Sequence, residues 1–542
     1  MGTDSLRRAA RAAEVGYERT ARWLAPGTYG ARAGRCDETV GRFCLTFDTL
    51  SKPPRGPERP EVGAARERAI AALQALLRAA PGDLKAAGAL VRMLVEGRRQ
   101  DEAVEAAFAF AAASQAPLWG DWLSGYALHA AGRDSLAERH FRTALARVPE
   151  REREDITSIE WLLSAAERKR VKALPAAARA AYHDRFWRLA DPMWLTAANE
   201  VWVEHVARHV EARLLSQVPL VLGMLRWGRD LDELTVRYGA PIARQRDYGS
   251  EGFSFIEHFD TAALAYVPQS LVGDALAALP PGEPWPLKAP SARSSHAPPA
   301  IRQAVPLSHQ LTRIPDGDAM RVRLDAEVLP DGSATAEAVL VAWPWRGGNE
   351  IRRSMLVSGD SAAVRLELRV PRDSMVYSAE IFEPARRQLQ LARYLLEPLA
   401  TAPVQLSDIL LTRPQPDSAS DAAPALTSLL ITGDTSLGVR VIVAGVEPGE
   451  AMDVEVSFAR ADQPSLLGRA LGWTGRRLGL AGDASPPRVR WRTAAAEDRA
   501  VQINLRTPGR PGLYYVQLGV RAAAGAASTR RLVRVVSASG AG

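Results

Sequence analysis

The stretch that decides the fold runs from Phe186 to Pro241 and reads FWRLADPMWLTAANEVWVEHVARHVEARLLSQVPLVLGMLRWGRDLDELTVRYGAP. It combines rare residues in an order that composition alone seldom produces. Asp191-Pro192 predicts a turn, because the residue before a proline is pushed away from the helical conformation. Thr196 can then cap the helix that follows, which carries Asn199 and Glu200. The stretch therefore predicts a turn that leads into a helix with a polar side.

This segment resembles the GWxTD domain of bacterial proteins. The matching residues, in chain order, are Asp191-Pro192, Thr196, Asn199-Glu200, Glu204-His205, Arg208, Trp227, Asp230 and Tyr238-Gly239-Ala240-Pro241. The motif that names the family is degraded, since Arg226 replaces its Gly, Arg229 its Thr and Leu231-Asp232 its following Arg-Gly. The family has no established biochemical activity. The resemblance therefore implies an architecture and not a reaction.

The polar residues of this segment have two interpretations. As a structural network they would fix the junction between helix and strand, with Asp230 bonding backbone amides or pairing with Arg208 or Arg237. As a functional cluster they would line a ligand pocket. The set consists of Asp191, Pro192, Asn199, Glu200, Glu204, His205, Arg208, Trp227, Asp230, Tyr238 and Gly239. We favour the structural interpretation.

A search for chemistry finds one candidate, the pair His205 and His209. Two histidines four residues apart lie on one helix face, a spacing that could chelate zinc. Zinc proteases of the HExxH type place a glutamate after the first histidine, whereas Glu204 precedes His205. The same helix must also pack a core through Trp202. We therefore expect structural histidines, no cofactor and no catalytic residue, with a metal-dependent hydrolase centred on the two histidines as the alternative.

Residues 66–149 contain a repeat of 34 residues. Ala69, Ala103 and Ala137 keep this step, because 103 − 69 = 34 and 137 − 103 = 34. The pattern resembles the tetratricopeptide repeat, in which each unit folds as two antiparallel helices. The best unit, residues 118–151, has Gly125, Gly132, Ala137, Phe141, Ala144 and Pro149 at the family's positions. We expect Gly132 in the turn between helices, where glycine adopts positive φ easily. Such a repeat usually presents a concave surface to a protein partner, although so short an array could instead brace its neighbour.

Beyond Pro241 the periodicity changes from helical to extended. Residues 279–318 are crowded with proline, which predicts a linker or an extended segment. Alternating apolar residues then predict strands, as at Val322 to Val328 and Val364 to Val370, with a hairpin signal at Asp331-Gly332. Alternation resumes after a second interruption at Pro414 to Pro424, and the short strands favour two β-sandwiches.

Short motifs extend both resemblances into these modules. His309-Gln310, Arg313 and Gly317-Asp318 are similar to a segment that precedes the β region of GWxTD proteins, and Leu406-Ser407-Asp408 is similar to one that follows it. The ending GLYYVQLGVR resembles the last strand pair of immunoglobulin-like domains. In that resemblance the hydroxyl of a tyrosine near the strand start bonds back to the chain.

Composition and charge exclude several classes of protein. With 47% hydrophobic and 24% charged residues, the 542-residue chain has enough material for several cores. The net charge is +7, and nearly all of the basic residues are arginine. Positive and negative side chains alternate along the chain, as in residues 151–154. We therefore expect no nucleic-acid binding. The longest apolar run, Val218 to Leu225, is too short to span a bilayer.

The two cysteines favour an oxidising compartment. Cys36 and Cys44 lie in the segment CDETVGRFC, with Gly41 available for a turn between them. Two thiols are too few for a closed zinc site, and a disulfide here would add roughly 2 to 3 kcal/mol of stability. Similar segments precede helical repeats in exported GWxTD relatives. The alternative is two unpaired thiols in a cytoplasmic protein. The first residues lack the apolar core of a signal peptide, but a signal that has been removed would leave the same sequence, so both compartments stay open.

These observations predict a multidomain α+β protein. The predicted divisions are an N-terminal segment (1–60), tetratricopeptide-like repeats (61–180), a GWxTD-like domain (181–278), a Pro-rich linker (279–318), a β-sandwich (319–413), a linker (414–425) and an immunoglobulin-like β-sandwich (426–542). The function we expect is that of a non-enzymatic periplasmic, cell-envelope or secreted scaffold or adaptor. Residues 61–180 would bind a protein partner. The oligomeric state is not predicted.

Overall fold

The computed structural model describes residues 2–24, 27–29, 38–45, 58–163, 165–218, 226–239, 243–247, 250–254, 301–328, 335–358, 363–414, 424–461 and 488–537. They form a mixed α+β protein, helical toward the N-terminus and rich in strands toward the C-terminus. The chain divides into two compact units, one holding the described residues up to Ser254 together with residues 301–304, and the other holding those from Val305 onward. Within the described part, no helix is long and apolar enough to cross a membrane.

The N-terminal unit contains eleven described α-helices and a short 3-10 helix at Glu160–Leu162. The helices are α1 Thr3–Leu24, α2 Pro60–Ala79, α3 Leu84–Glu96, α4 Gln100–Ala113, α5 Pro117–Ala130, α6 Asp134–Leu145, α7 Glu150–Thr157, α8 Ala165–Lys172, α9 Ala176–Ala190, α10 Glu200–Ser216 and α11 Arg229–Tyr238. From α1 to α6, each helix packs against the next. The starts of α4 and α6 differ by 134 − 100 = 34 residues, which is the period of the sequence.

The small residues of the repeat lie where helices approach each other. Ala69, Ala103 and Ala137 are completely buried. A Cβ atom added to Gly125 would come within 2.4 Å of the Phe141 ring, so only glycine lets α5 approach α6 this closely. The expected turn is confirmed, because Gly132 joins these two helices with φ of +70°.

Helix α10 packs against α3, α5 and α6. A Cβ atom on Gly88 would lie 2.9 Å from the side chain of Leu214, and the Arg213 guanidinium lies 5.7 Å from the Trp122 ring centroid. The expected divisions 61–180 and 181–278 are therefore parts of one compact unit. The side of α3 and α5 that contacts α10 is therefore covered by this helix, which agrees with the alternative in which the short array braces its neighbour.

Short strands complete the N-terminal unit: β1 Gly27–Tyr29, β2 Glu38–Val40, β3 Phe43–Leu45, β4 Ala243–Asp247 and β5 Ser250–Ser254. β4 lies between β1 and β5, and β2 pairs with β3 as a hairpin. Val40 of the hairpin shares an apolar cluster with Leu231, Leu234 and Tyr238 of α11, and Phe43 packs against it. The hairpin thus docks on the C-terminal part of the GWxTD-like segment.

The C-terminal unit begins with two sheets. Their strands are β6 Gln303–Pro306, β7 His309–Asp316, β8 Ala319–Glu327, β9 Ala336–Pro344, β10 Ile351–Val357, β11 Ala363–Pro371, β12 Met375–Glu383 and β13 Gln388–Leu396. One sheet has the order β10-β9-β12-β13-β6 and the other β11-β8-β7. The predicted alternation is confirmed in β8 and β11, whose apolar side chains are buried.

Part of the expected linker is strand. β6 and β7 lie inside residues 279–318, which corrects that expectation for residues 303–306 and 309–316. Each is the outer strand of its sheet. An outer strand tolerates proline because one side of its backbone needs no partner, and this explains Pro306 and Pro315.

A second pair of sheets follows. Its strands are β14 Gln405–Leu406, β15 Leu410–Thr412, β16 Leu430–Thr432, β17 Ser436–Ala444, β18 Ala451–Arg460, β19 Arg488–Ala494, β20 Ala500–Arg506, β21 Gly512–Ala522 and β22 Gly525–Val536. β17 pairs with β14, β15 and β20, and the other sheet has the order β16-β22-β21-β18-β19. The two sheets share one apolar core. The expected boundary at residue 413 is too late, because β14 and β15 pair with β17.

Two smaller expectations concern these sheets. The hydroxyl of Tyr514 donates a hydrogen bond to the Arg510 carbonyl oxygen at 3.0 Å, as expected of a tyrosine near a strand start. The hairpin signal Asp331-Gly332 lies outside the described residues.

Candidate functional site

The start of α10 is capped by Asn199. Its Oδ1 accepts a hydrogen bond from the Trp202 amide at 2.9 Å, and its Nδ2 donates to the Trp187 carbonyl oxygen at 2.6 Å. Its own amide donates to Glu138 of α6 at 3.0 Å. Thr196 was expected to be this cap. Its hydroxyl instead donates a hydrogen bond to Glu200 Oε1 at 2.5 Å. The correction has a simple cause, because Asn199 is the residue directly before the first helical turn and can reach its free amides.

A buried pair of carboxyl groups lies beside this cap. Asp191 and Pro192 follow the last residue of α9, and Asp191 Oδ1 accepts the Met193 amide at 3.1 Å, as in a turn. Burial, together with the charge of Asp191, raises the pKa of Glu200 well above its usual range. Burial therefore disfavours the charged form of Glu200, and its Oε1 accepts a hydrogen bond from the Thr196 hydroxyl.

A charged network joins the helix pairs to α10. His129 at the end of α5 lies between two carboxylates, with Nδ1 2.6 Å from Asp134 and Nε2 2.5 Å from Glu204. Burial alone would lower the pKa of His129, but the hydrogen bonds and charges of the two carboxylates raise it to about 10. Both ring nitrogens therefore carry protons at neutral pH. Glu204 also accepts from Arg208 Nε at 2.5 Å.

The same network reaches α11. Arg208 Nη1 donates to the carbonyl oxygen of Arg237 at 2.7 Å, which satisfies an acceptor in the last turn of the helix. The helix ends at Tyr238, which is buried, and Gly239 follows with φ of +81°. The histidine, Glu204 and Arg208 together connect α5, α10 and α11.

Asp230 pairs with neither Arg208 nor Arg237. Its two oxygens accept from Arg42 Nε at 2.6 Å and from Arg42 Nη2 at 2.8 Å. Arg42 also donates to the Arg226 carbonyl oxygen. These hydrogen bonds lower the pKa of Asp230 to about 2. Of the two expected arrangements, the bonding of backbone amides is confirmed, because Asp230 Oδ1 accepts from the Leu231 amide at 2.9 Å. The expected arginine partners are wrong, because Arg208 is engaged by Glu204 and Arg237 by Glu233.

The β2–β3 hairpin, which contains Arg42, packs closely against Asp230. Gly41 has φ of +51°, and a Cβ atom there would lie 2.5 Å from Asp230 Cβ. Nearby, Trp227 Nε1 donates to Asp232 at 2.8 Å. The GRF sequence between the two cysteines is therefore one half of this junction. Cys36 and the side chain of Cys44 lie outside the described part of the chain, so the expected disulfide stays a prediction.

His205 and His209 lie in a buried aromatic stack. His209 stacks on Trp161 with ring centroids 5.6 Å apart, and His205 lies 4.8 Å from His209 and 5.0 Å from Trp187. His205 Nε2 donates to the Ile156 carbonyl oxygen at 2.8 Å. Burial lowers the pKa of His205 to about 3 and that of His209 well below its usual range. Both imidazoles are neutral.

Two ring nitrogens in this stack have no partner among the described residues. They are His205 Nδ1 and His209 Nε2, both buried. Neutral imidazole nitrogens are suitable metal ligands. Over the described ranges, however, no group of three or more histidine, cysteine, aspartate or glutamate side chains is arranged so that it could hold a metal ion. The stack offers two nitrogen ligands, and the nearest carboxylate on the helix, Glu204, is already bound to His129 and Arg208.

A cleft of about 250 Å³ lies elsewhere in the N-terminal unit, between α1, α3 and the end of α10. Its buried wall is Arg92, which bonds Glu18 at 2.5 Å and Glu96 at 2.6 Å. Burial raises the pKa of Glu18 to about 7. Leu214 and Gln217 of α10 line this cleft, but none of the GWxTD-like polar residues does.

The two outer motifs of the C-terminal unit meet each other. Arg313 and Asp408 form a bidentate ion pair with both N to O distances at 2.8 Å, and Asp408 also accepts the Arg313 amide at 2.8 Å. Burial alone would raise the pKa of Asp408, but the Arg313 charge lowers it. Gln310 accepts from the Leu411 amide at 3.0 Å and from Arg531 at 2.8 Å. The HQ and LSD segments therefore form one polar junction between the two pairs of sheets.

Sequence reasoning missed the partners of these motifs. His129 and Asp134 flank the Gly132 turn, but no other feature of the sequence indicated that they bond each other or Glu204. Glu138 lies on the repeat, and no sequence pattern identifies it as the hydrogen-bond acceptor of the Asn199 amide. Arg42 was visible in CDETVGRFC, and a resemblance that included both GRFC and Asp230 could have suggested the pair.

Comparisons with known proteins add little. No family model matches the sequence, and no curated protein matches it. Among solved structures, the chain is similar to the transglutaminase of red sea bream, at 13% identity and a TM-score of 0.14, over 42% of this chain and 31% of that one. It is also similar to Escherichia coli alpha-2-macroglobulin activated by porcine elastase, at 13% identity and a TM-score of 0.16, over 41% of this chain and 22% of that one. The alignments span less than a third of either protein's length, and such low scores carry no argument about function.

Proposed function

We propose that this chain is a non-enzymatic, extracytoplasmic scaffold or adaptor, built from tetratricopeptide-like helix pairs, a GWxTD-like segment and two immunoglobulin-like β-sandwiches. One observation carries the proposal: the charged residues of the GWxTD-like segment are used to join helices. Glu204 binds His129, Arg208 caps α11, and Asp230 holds the hairpin through Arg42. Residues committed in this way are poor candidates for proton transfer or nucleophilic attack, which need a group free to react with a substrate.

The partner surface of residues 61–180 is then the side that faces away from α10. Phe108 of α4 and Leu136 of α6 are 42% and 37% exposed, although both are large apolar residues. The Phe108 ring packs near His140 of α6, with centroids 5.8 Å apart. Exposed apolar side chains on adjacent helices are typical of protein interaction surfaces. We therefore assign partner binding to the outer surface of α4 and α6.

A partner-capture experiment tests this surface. The full chain, with a tag, is used to capture proteins from cell-envelope extract of the source organism, beside a Phe108→Glu, Leu136→Glu double variant. A Leu356→Glu variant is the control, because Leu356 is 76% exposed on β10 and belongs to the other compact unit. We expect one protein species that the parent and control capture and the double variant loses. Equal capture by all three forms would contradict the assignment.

One observation favours a second candidate function, a metal-dependent hydrolase. His205 Nδ1 and His209 Nε2 are buried without hydrogen-bond partners among the described residues. Two such nitrogens could bind a metal ion. The metal content of purified protein separates the two functions. After dialysis against a weak chelator, the scaffold should hold no stoichiometric zinc. One zinc per chain that is lost in His205→Ala and His209→Ala would establish the hydrolase alternative instead.

Localisation has its own test. If the protein resides in the periplasm or outside the cell, Cys36 and Cys44 should react with no thiol reagent until a reductant is added. Two reactive thiols in protein taken from its native compartment would support cytoplasmic residence.

A further inference from the structure

The outermost strand of the last sheet, β19, has a free edge. It pairs with β18 on one side, and no strand pairs with its other side among the described residues. The backbone N–H and C=O groups along a free edge can pair with another extended chain. β19 is seven residues long, which is enough for a regular ladder.

Side chains of β19 alternate between cationic and apolar. Arg488, Arg490 and Arg492 point to the outer face, where their side chains are 60%, 66% and 76% exposed. Val489 and Trp491 lie opposite buried valines of β18, and Trp491 packs against the apolar core. Val489 is nevertheless 37% exposed, because nothing described covers it from the free edge.

The strand already paired with β19 shows which chemistry complements it. On β18, Asp453 lies opposite Arg492 and Glu455 opposite Arg490. Between them, Val454 lies opposite Trp491, and Val456 lies opposite Val489 on the same face. Acidic residues thus face the arginines and apolar residues face the apolar ones. Cross-strand pairs of this kind stabilise neighbouring strands.

The arginines are not neutralised by β18 alone. Glu455 is shared, since Arg490 Nε lies 2.6 Å from its Oε2 and Arg488 contacts its other oxygen. Arg492 is 4.0 Å from Asp453, at the limit of an ion pair. Three arginines therefore face two carboxylates, which leaves positive charge at the edge. A second copy of β19 would place arginine against arginine, so pairing between copies is disfavoured.

We propose that β19 binds an extended segment of a partner protein, in which acidic and apolar residues alternate, as an additional strand of the sheet. Main-chain hydrogen bonds would supply affinity, and the arginines would select the acidic side chains. The proposal deepens the scaffold role and rests on it, since it names the chemistry of a partner.

The probe is a nine-residue, capped, fluorescent peptide of alternating glutamate and valine, titrated against the full chain. Two control peptides carry the same composition in two blocks, or glutamine in place of glutamate. We expect the alternating peptide to bind and both controls to bind roughly tenfold or more weakly. Amide hydrogen exchange of residues 488–494 should slow when the alternating peptide is added. Equal binding of the block peptide, as for any polyanion, would overturn the proposal.

Variants of the protein provide the matched test. Arg490→Glu should weaken binding of the glutamate-valine peptide by about tenfold or more. The variant should instead bind a peptide of alternating lysine and valine. Arg506→Glu on β20 makes the same change in net charge at a site 75% exposed on the other sheet, and should change affinity less than about twofold. Equal losses in both variants would show attraction by net charge alone, and would overturn the proposal.

Zinc is measured in the same preparation, so that the two proposals can fail separately. Peptide binding with one zinc per chain would keep the β19 site and overturn the scaffold. Absence of both binding and zinc would overturn the β19 site and leave the scaffold in place.

Discussion

In the helical unit the central polar cluster is built around a histidine, whereas in the strand-rich unit it is built around arginine. His129 lies between Asp134 and Glu204, and its positive charge depends on a proton that it can lose. Arg313 lies against Asp408, and arginine keeps its charge at every pH at which proteins fold. Both clusters join segments far apart in the chain. Both clusters stabilise contacts between distant segments, but only the histidine-based cluster should lose its charge as pH rises.

The comparison teaches that polar motifs in this protein mark junctions between elements. Each motif residue with a contact described above bonds a group on another element or at a helix end. Buried charges are retained in proteins only when they are paired and hydrogen-bonded. A conspicuous set of charged residues can therefore reflect the demands of a junction as readily as those of catalysis.

The largest expected effect comes from breaking the arginine-based junction. Asp408→Asn should lower the free energy of unfolding of the strand-rich unit by roughly 3 kcal/mol, because it leaves the Arg313 charge, whose side chain is only 20% exposed, uncompensated. Asp318→Asn is the control, since Asp318 is 92% exposed and pairs only with an exposed arginine at Arg369. Chemical denaturation followed by hydrogen exchange in each unit measures both variants. Equal small effects would mean that Arg313 finds another partner and that the junction is not essential.

Glu204→Gln tests the histidine-based cluster in the same way. The variant removes the charge that contacts both His129 and Arg208, and it should cost the helical unit roughly 1 to 3 kcal/mol. Glu67→Gln is the control, because the Glu67 side chain is 59% exposed. Hydrogen exchange in α5, α10 and α11 should speed up together. If only α10 responds, the network does not couple the three helices.

The response to pH sharpens the comparison most directly. The pKa of His129 is about 10 in the folded protein and about 6.5 when unfolded, so the folded state binds the extra proton. Its contribution to stability is complete below pH 6.5 and is lost as pH rises toward 10, by at most about 1.4 kcal/mol per pH unit. Arg313 and Asp408 do not titrate there. Between pH 6.5 and 9 the helical unit should weaken and the strand-rich unit should not.

The acid side of the profile should be common to both units. Burial lowers the pKa of His205 to about 3 and that of His309 to about 4, so each unfolded state binds a proton that the folded state rejects. Stability from these groups is complete above pH 6.5 and falls as pH drops below it. His129→Gln should reduce the slope of the alkaline side and leave the acid side unchanged, because Glu200, whose pKa is also raised by burial, still weakens the helical unit as pH rises. Flattening of the acid side as well would contradict the assignment of the two histidines.

The smallest effect concerns the turn that brings Asp134 back toward His129. Gly132→Ala should cost about 1 kcal/mol, because φ of +70° is strained for alanine although nothing lies within 4 Å of the added Cβ. Gly63→Ala is a matched change inside α2, where alanine is the better helix former, and it should stabilise by roughly 0.5 to 1 kcal/mol. Thermal unfolding should therefore shift in opposite directions. Shifts of the same sign would show that backbone strain at Gly132 is not significant.

Local patterns predicted the elements well. The 34-residue step located the helices and the Gly132 turn, and alternation located β8, β11, β17, β18 and β21. These patterns depend on which side of one element is buried, and the sequence records this directly. The strands inside the Pro-rich segment were missed because proline disfavours a central strand and says little about an outer one.

The candidate site was predicted only in part. His205 and His209 do share a buried side of one helix, and Asp191-Pro192 does form a turn. Asp230 does bond a backbone amide, that of Leu231, as expected. Its predicted side-chain partner was wrong because Arg42 is far away in the chain, and no periodicity links the two. The packing of α10 against α3 and α5 was missed for the same reason. Contacts between distant segments depend on the shape of the whole unit, which spacing within one segment does not record.

The docking of the β2–β3 hairpin also sets an order of events during synthesis. Arg42 and Asp230 are separated by 188 positions, whereas α2 to α6 pack mainly against their neighbours in the chain. At a synthesis rate of about 5 to 20 residues per second, the hairpin emerges roughly 10 to 40 seconds before α11. During that interval Val40 and Phe43 have no helix to cover them. The nascent chain therefore passes through a stage in which its helix pairs can fold while its first hairpin still exposes apolar surface to chaperones.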